Sequence, residues 1–288
     1  MGTSKSKPDA PPQRPFVPPW ADQDPAPPPP APDANPDPAQ QPPDGQAPPP
    51  APPAPQPAPP QPQPADLAPR SRYLGFRTSL GRFAASGDRV EARTALGHWA
   101  RTSMGGSRAG TARVARAART GGAALAGVAR AGAGLAPVAG ALDVRTLAGL
   151  SINVAIDRIV DAFCPPGILD EDVARLAIGE ALATALSGVD TFDPAALDGN
   201  SVRIATLTFV GELVFVQVAG DGGKSLAAAP SPVAAAQREA DLRSLIREVT
   251  DVVGTPILQA AGNVLTPDAM TNLVSRLVQA VEAEMSAW

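Results

Sequence analysis

The sequence has one cysteine, one histidine and one tyrosine among its 288 residues. A single cysteine, Cys164, excludes an intrachain disulfide and a metal site built from several thiolates. Because His98 is the sole histidine, every Ser-His-Asp, Cys-His or polyhistidine site would have to include it, and no recognisable motif surrounds Cys164 or His98. We therefore predict a protein without catalytic residues, metal site or cofactor.

Aromatic residues make up only 4% of the chain, so a core must be built from Leu, Ile, Val and Ala. Such a core suits helices better than a sheet sandwich, and we predict a mainly α fold. The first residues lack the apolar segment of a signal peptide, which predicts a cytoplasmic protein. Residues 120–141 have the length of a membrane span, but Arg130, Pro137 and many glycines disfavour insertion. The Ala/Gly-rich composition of residues 120–141 indicates either helix packing through small residues or a flexible linker.

Proline is abundant but confined: 28 of the 36 prolines lie between Pro8 and Pro69. This stretch has no apolar periodicity, so residues 1–69 are expected to be a disordered tail with a Pro-rich spacer of largely polyproline II character. The exception is Phe16-Val17-Pro18-Pro19-Trp20, in which Trp20 either contacts a partner surface or belongs to a stray hydrophobic cluster.

The net charge of −4 conceals three segments of different sign. Residues 1–69 carry −4, residues 70–130 carry +10 from twelve arginines, and residues 131–288 carry −10. From composition and charge we expect a basic Arg-rich and Ala/Gly-rich segment at 70–141 and an acidic α-helical domain at 142–288. The basic segment can bind nucleic acid, the chain's own acidic half or an acidic partner.

Aromatic residues are interspersed with arginines between residues 70 and 119, which makes this the best candidate for a binding surface. One interpretation is that this segment binds nucleic acid, with the arginines contacting phosphates and the aromatic rings stacking on bases. The other is an amphipathic unit with Leu74, Phe76, Leu80 and Phe83 inside and the arginines outside. We favour structural or protein-docking use over nucleic acid, with these candidate partner-binding residues: Arg72, Tyr73, Phe76, Arg77, Arg82 and Phe83.

Further along the chain, amphipathic stripes predict a helical bundle, with several helices beginning at a capping residue followed by proline. Four dipeptides fit that pattern: Asp193-Pro194, Ser231-Pro232, Thr255-Pro256 and Thr266-Pro267. The stripe after Ser231 is expected to end at Gly254. Residues 202–219 show partial alternation typical of a hairpin, but a lone hairpin has little sheet to join, and we predict a buried helix.

The sequence Gly223-Lys224-Ser225 resembles the end of a phosphate-binding loop. Such a loop needs its first glycine at the position that Val218 occupies here. Nucleotide binding at Lys224 is therefore an alternative function, and the other interpretation is a helix C-cap followed by a turn.

Several short segments resemble QatB, the component without a recognised enzyme fold in the four-gene Qat anti-phage defence system. They lie at the N-terminal tip and between residues 70 and 130: Met1-Gly2-Thr3-Ser4, Val17-Pro18-Pro19-Trp20-Ala21-Asp22, Arg72-Tyr73-Leu74-Gly75-Phe76-Arg77, Gly81-Arg82-Phe83 and Gly105-Gly106-Ser107. The helical C-terminal half matches that family in layout alone.

The resemblance implies a non-enzymatic scaffold or substrate protein with three partners from the same operon: a QueC-like enzyme, an ATPase and a TatD-like nuclease. It further implies that the QueC-like enzyme activates a 7-deazaguanine carboxylate with ATP and joins it to the N-terminal glycine exposed after removal of Met1. Gly2 would then be the acceptor, and Thr3 and Ser4 would be recognised with it. No membrane partner is expected.

Overall fold

A computed structural model describes residues 73–103, 107–165 and 169–288 of the chain. These residues form helices α1 (Leu74–Ser86), α2 (Arg89–His98), α3 (Ser107–Gly132), α4 (Ile152–Phe163), α5 (Leu169–Ala185), α6 (Gly199–Gly222), α7 (Pro232–Ala261) and α8 (Pro267–Ser286). Within the described ranges there is no strand, and Ser151 and Thr191 form an isolated antiparallel bridge. The prediction of a mainly α fold is confirmed.

Helices α7 and α8 begin at the predicted capping dipeptides. Ser231 Oγ accepts a hydrogen bond from the Ala234 N–H at 3.1 Å, and Thr266 Oγ1 accepts one from the Ala269 N–H at 3.4 Å. The following proline lies in the first turn, where a backbone N–H would have no helical acceptor. Asp193-Pro194 is capped in the same way but begins only a short 3-10 turn, Pro194–Ala196.

The prediction that Thr255-Pro256 begins a helix is wrong, as is the expected helix end at Gly254. Helix α7 continues through both positions to Ala261, with Pro256 inside it. Pro256 has no N–H, so the carbonyl of Val252 loses its helical hydrogen bond. Because Val252 lies on the exposed side of α7, with 74% of its surface accessible, water can bond to that carbonyl.

Helix α6 confirms that residues 202–219 are helical. Asp198 caps it by accepting a hydrogen bond from the Ser201 N–H at 2.7 Å, and every residue from Ala205 to Phe215 is buried. Packing on several sides overrides the weak helix propensity of its β-branched residues. Among the described residues, Gly199–Ala228 is the stretch long and apolar enough to span a membrane, yet 67% of its apolar window is buried inside the protein.

Helix α3 contains the Ala/Gly-rich residues up to 132 and packs against α4, α5, α6 and α8. A Cβ atom at Gly121 would lie 2.0 Å from Phe209 Cζ, and one at Gly127 would lie 2.6 Å from Phe163 Cζ. At Gly132 it would lie 1.7 Å from the carbonyl oxygen of Leu197. The glycines therefore allow close approach of neighbouring elements, so this part of the segment is used for small-residue packing.

One hydrophobic core joins the helices on both sides of residue 141. It includes Phe76 and Trp99 from the basic segment together with Phe209, Leu242 and Val281 from the acidic one. All described residues belong to one compact unit, Gln63–Trp288. The division at residues 69 and 141, which rests on composition and charge, stays a prediction.

Candidate functional site

The predicted binding residues divide into two groups. Gly2, Thr3, Ser4, Trp20 and Arg72 lie outside the described residues. The others lie at or within α1, which forms a helical hairpin with α2 over residues 74–98. This α1–α2 hairpin is therefore the described part of the candidate site.

The apolar face of α1 packs into the core. Phe76, Leu80 and Phe83 are almost fully buried, and Tyr73 is half-buried against the same cluster. Leu74, which we expected inside, is 67% exposed. It precedes Phe76 by two residues, roughly half a helical turn, which turns it to the opposite side of α1. The rings of Phe76 and Phe83 hold the hairpin on the core, out of reach of a partner in this conformation.

The hairpin is joined to the end of α6 by hydrogen bonds to Asp221. Arg77 Nε donates to the Asp221 carbonyl oxygen at 3.0 Å, and its guanidinium lies 5.1 Å from the centroid of the Tyr73 ring. Trp99 Nε1 donates to Asp221 Oδ2 at 3.0 Å in the core. Gly222 allows this approach, because a Cβ there would lie 2.6 Å from Leu80 Cδ2. These contacts fix the position of Tyr73, the first described residue after the Pro-rich stretch.

Arginines of α2, and of the π-helical segment Trp99–Ser103 that follows it, contact α7 and the end of α8. Arg89 forms an ion pair with Glu248. The Arg93 guanidinium lies 5.3 Å from the centroid of the Trp288 ring, and Arg101 Nη1 donates to the Ser286 carbonyl oxygen at 2.5 Å. The basic segment thus docks on the chain's own acidic half, one of the outcomes the charge distribution allowed. Val90, in the first turn of α2, is 67% exposed.

Arg82 differs from its neighbours on the α1–α2 hairpin. It is exposed, and its guanidinium has no ion-pair or hydrogen-bond partner among the described residues. Of the predicted contact residues that the structure describes, Arg82 is the one that presents an uncommitted charge to solvent.

The glycines before Lys224 form the end of α6, as the C-cap interpretation proposed. Gly223 has φ +57, and a 3-10 helix, Gly223–Ala228, follows directly. The Ser225 hydroxyl donates to the Gly222 carbonyl oxygen at 2.9 Å. A phosphate-binding loop connects a strand to a helix, whereas these residues follow a helix. Across the described ranges, no group of three or more His, Cys, Asp or Glu residues is placed to hold a metal ion.

A buried carboxylate lies in α6, at a position that is not among the residues predicted from the sequence. Glu212 is 4% exposed and lies between two arginines of α7. Its Oε1 accepts from Arg247 Nη2 at 2.8 Å, and its Oε2 lies 3.3 Å from Arg243 Nε. Arg247 Nη2 also donates to Glu180 of α5 at 2.8 Å, and the Arg243 guanidinium lies 4.2 Å from the centroid of the Phe215 ring. The signal was present, since Glu212 is the lone charge in an apolar run and the two arginines are spaced i,i+4.

A second buried carboxylate lies on α8. Glu282 is 7% exposed, and its Oε1 has no hydrogen-bond partner among the described residues. Burial raises the pKa of Glu282 to about 7 from an ordinary value of 4.5. The carboxyl group is therefore expected to change its charge near neutral pH.

Comparison with known protein families identifies a match to this chain. The family described as Qat anti-phage system associated protein QatB matches residues 105–281, more than half of the chain. No curated protein and no solved structure matches the chain. The matched region begins just before α3 and ends within α8. Most of the short segments that resemble QatB lie before this region. The match therefore lies largely in the helical C-terminal half, which resembles the family in layout alone. The chain belongs to the QatB family and is a component of the Qat anti-phage defence system.

Proposed function

We propose that this protein is a non-enzymatic scaffold of the Qat system that presents its own N-terminal glycine for modification. The QueC-like enzyme of the same operon is the proposed modifying partner, and the ATPase and the TatD-like nuclease are further partners in the complex. The protein would act in the cytoplasm. Family membership supports a place in this defence system, and the roles of the individual partners are our proposal.

The proposed modification follows from the chemistry of the terminus. Removal of Met1 would expose the α-amine of Gly2, an unhindered nucleophile. The amine nitrogen would attack the carbonyl carbon of an ATP-activated 7-deazaguanine carboxylate. An amide bond forms, the activating group leaves with its bonding electrons, and the amine loses a proton. Thr3 and Ser4 would be recognised beside the acceptor.

The observation that carries the scaffold proposal is the attachment of α1 to the core. Arg77 and Trp99 both bond to Asp221, at 3.0 Å each, and Arg77 lies eight residues after Pro69, the last proline of the Pro-rich stretch. A proline-rich spacer rises about 3.1 Å per residue in polyproline II conformation. A spacer of this kind, joined to a fixed point on a helical body, would present Gly2 to an active site at a distance from that body.

Nucleic-acid binding by residues 70–119 is the first alternative. Four of the five arginines between residues 73 and 101 contact groups of the same chain: Arg77, Arg89, Arg93 and Arg101. These contacts favour docking within the protein, because a phosphate would have to displace them. Filter binding of single-stranded and duplex DNA over a salt series tests the alternative, since phosphate contacts must strengthen as salt is lowered. The helix-capping role of Gly223 likewise disfavours nucleotide binding at Lys224.

Intact-mass measurement tests the main proposal. The protein is purified from cells that carry the whole operon and from cells in which the QueC-like enzyme alone is inactivated. We expect an added mass that matches a deazaguanine amide in the first sample and its absence from the second. An unmodified Gly2 terminus in both samples would contradict the proposal.

A further inference from the structure

A cavity of about 410 Å³ lies between α5, α6 and α7. Three threonines, one from each helix, line it together with three charged residues: Thr184, Thr208, Thr255, Arg203, Arg247 and Asp251. We call it the three-threonine cavity. Its volume is within the range of small-molecule sites in proteins.

The three threonines have hydroxyl groups without a hydrogen-bond partner among the residues that the structure describes. A threonine inside a helix can donate its hydroxyl to the carbonyl four residues earlier. Thr94, Thr206 and Thr250 do so in this protein, at 2.8–2.9 Å. The hydroxyls of Thr184, Thr208 and Thr255 make no hydrogen bond within the described part of the chain, although Thr208 is only 8% exposed. Hydroxyls left free at one cavity can bond to a ligand.

Two opposite charges face the same cavity without touching. Arg203 and Asp251 are close enough for the arginine to lower the carboxyl's pKa, but they form no ion pair within 4.0 Å. Burial has the larger effect and raises the pKa of Asp251. Arg203 donates Nη2 to Asn200 at 2.7 Å, which leaves its other nitrogens available. A ligand between the two side chains would need an acceptor towards Arg203 and a donor towards Asp251.

The surrounding charges disfavour an anion such as a phosphate. Arg247 already donates Nε and Nη2 to Glu212 and Nη2 to Glu180. The negative and positive charges around the cavity are therefore equal in number. The three carboxylates are those of Glu180, Glu212 and Asp251, and the three guanidinium groups are those of Arg203, Arg247 and Arg243, which pairs with Glu212. Charges of both signs at fixed positions, with no excess of either, match a ligand that carries both signs itself.

We propose that the three-threonine cavity binds a small zwitterion of the amino-acid type, with its carboxylate towards Arg203 and its ammonium group towards Asp251. The three hydroxyls complete the hydrogen bonds, and Ile204 and Leu207 offer apolar contact to a side chain. A neutral polyol could bond to the hydroxyls but would gain little from the separated charges. The inference goes beyond the proposed scaffold function and does not depend on it.

Saturation-transfer difference NMR on the full-length protein tests this proposal, with the common L-amino acids as single probes. The best binder is then compared with its N-acetyl and methyl-ester derivatives and with ribose. We expect Asp251→Asn and Arg203→Gln each to weaken binding about tenfold or more, because each removes a charge-assisted hydrogen bond. Thr208→Val should weaken it less, and Asp268→Asn, an exposed aspartate of α8, should leave it unchanged.

Several results would overturn the proposal. These are the absence of binding by every amino acid at millimolar concentration, equal binding of ribose or the N-acetyl derivative, and undiminished binding by Asp251→Asn and Arg203→Gln. Circular dichroism of each variant establishes that it is folded. Should one charge variant fail to fold, the derivatives test the same contact on the wild-type protein, since acetylation removes the ammonium charge and esterification the carboxylate.

Discussion

The indole N–H of Trp99 and the carboxylate of Asp221 are joined by a buried hydrogen bond of 3.0 Å across 122 residues of sequence. It connects the π-helical segment Trp99–Ser103 to the end of α6. Arg77 bonds to the carbonyl oxygen of the same aspartate, so α1 and α2 meet α6 at one residue. The position of the α1–α2 hairpin on the core therefore depends on this junction.

Replacement of Trp99 tests that junction. Trp99→Phe removes a hydrogen bond to a charged group and leaves space in the core, and we expect a loss of about 2 kcal/mol in the free energy of unfolding. The matched control is Trp288→Phe, because that ring is half-buried and lies beneath Arg93. Urea unfolding measures both. Equal losses from the two substitutions would contradict a specific role for the Trp99–Asp221 bond.

The glycines of α3 give a second test. Alanine at Gly132 would place its Cβ 1.7 Å from a backbone oxygen, and at Gly121 it would meet the Phe209 ring at 2.0 Å. We expect each substitution to destabilise the protein by about 1–3 kcal/mol through overpacking. Gly179→Ala in α5 is the control, because a Cβ there meets nothing within 4 Å and should stabilise the helix by about 0.5–1 kcal/mol. Thermal unfolding should therefore shift in opposite directions, and shifts of the same sign would contradict the packing role.

The ion pairs of Glu212 should matter far more than the exposed pair of the α1–α2 hairpin. Glu212→Ala leaves Arg243 and Arg247 without their buried partner, and we expect a loss of about 2–4 kcal/mol in the free energy of unfolding. Glu248→Ala removes the exposed partner of Arg89 and should cost less than about 1 kcal/mol. Chemical denaturation of both variants measures the difference. Similar losses would show that the network around Glu212 contributes no more than a surface pair.

Protonation of Glu282 should make stability depend on pH. Its folded-state pKa of about 7 lies above the ordinary 4.5, so the native protein binds the proton more tightly than the unfolded chain. The stabilisation of the folded protein by this tighter proton binding is fully present below about pH 4.5 and is lost as pH rises through about 7. Relative to Glu282→Gln, the wild type should lose up to about 1.4 kcal/mol per pH unit in that window. Glu282→Gln should consequently be the more stable protein at pH 8.

Unfolding curves at several pH values between 4.5 and 8 measure this effect. Glu284→Gln, an exposed glutamate of the same helix, is the control and should follow the wild-type pH dependence. Parallel curves for the wild type and Glu282→Gln would mean that Glu282 does not titrate in this window.

Much of the helical framework was predictable because local signals and packing agree. Ser231 and Thr266 cap α7 and α8, and the apolar stripe of α8 that contains Leu277 and Val281 is buried. Thr255-Pro256 carries the same local signal as the two caps. Helix α7 nevertheless runs through this dipeptide, because it packs on the core both before and after it. The local pattern cannot show that tertiary contacts continue through a proline.

The remaining features depend on residues distant in sequence. The sequence alone does not show whether the Ala/Gly-rich segment packs in the core or acts as a linker. That depends on Phe163 and Phe209, whose rings lie against Gly127 and Gly121. The docking of the α1–α2 arginines was one of several outcomes that the charge distribution allowed, and only the fold shows which acidic groups they meet. The three-threonine cavity was not predicted, because its threonines come from three separate helices.

We propose that Gly2 of this QatB-family protein accepts the modifying group. Tandem mass spectrometry of the N-terminal peptide, from protein made with its complete operon, tests this proposal. We predict fragments that place an added deazaguanine amide on the Gly2 nitrogen, with the modified fraction reduced in Thr3→Val and Ser4→Ala variants. A plain Gly2 amine in protein from cells in which the complete operon is active, or an added mass on another residue, would contradict the account.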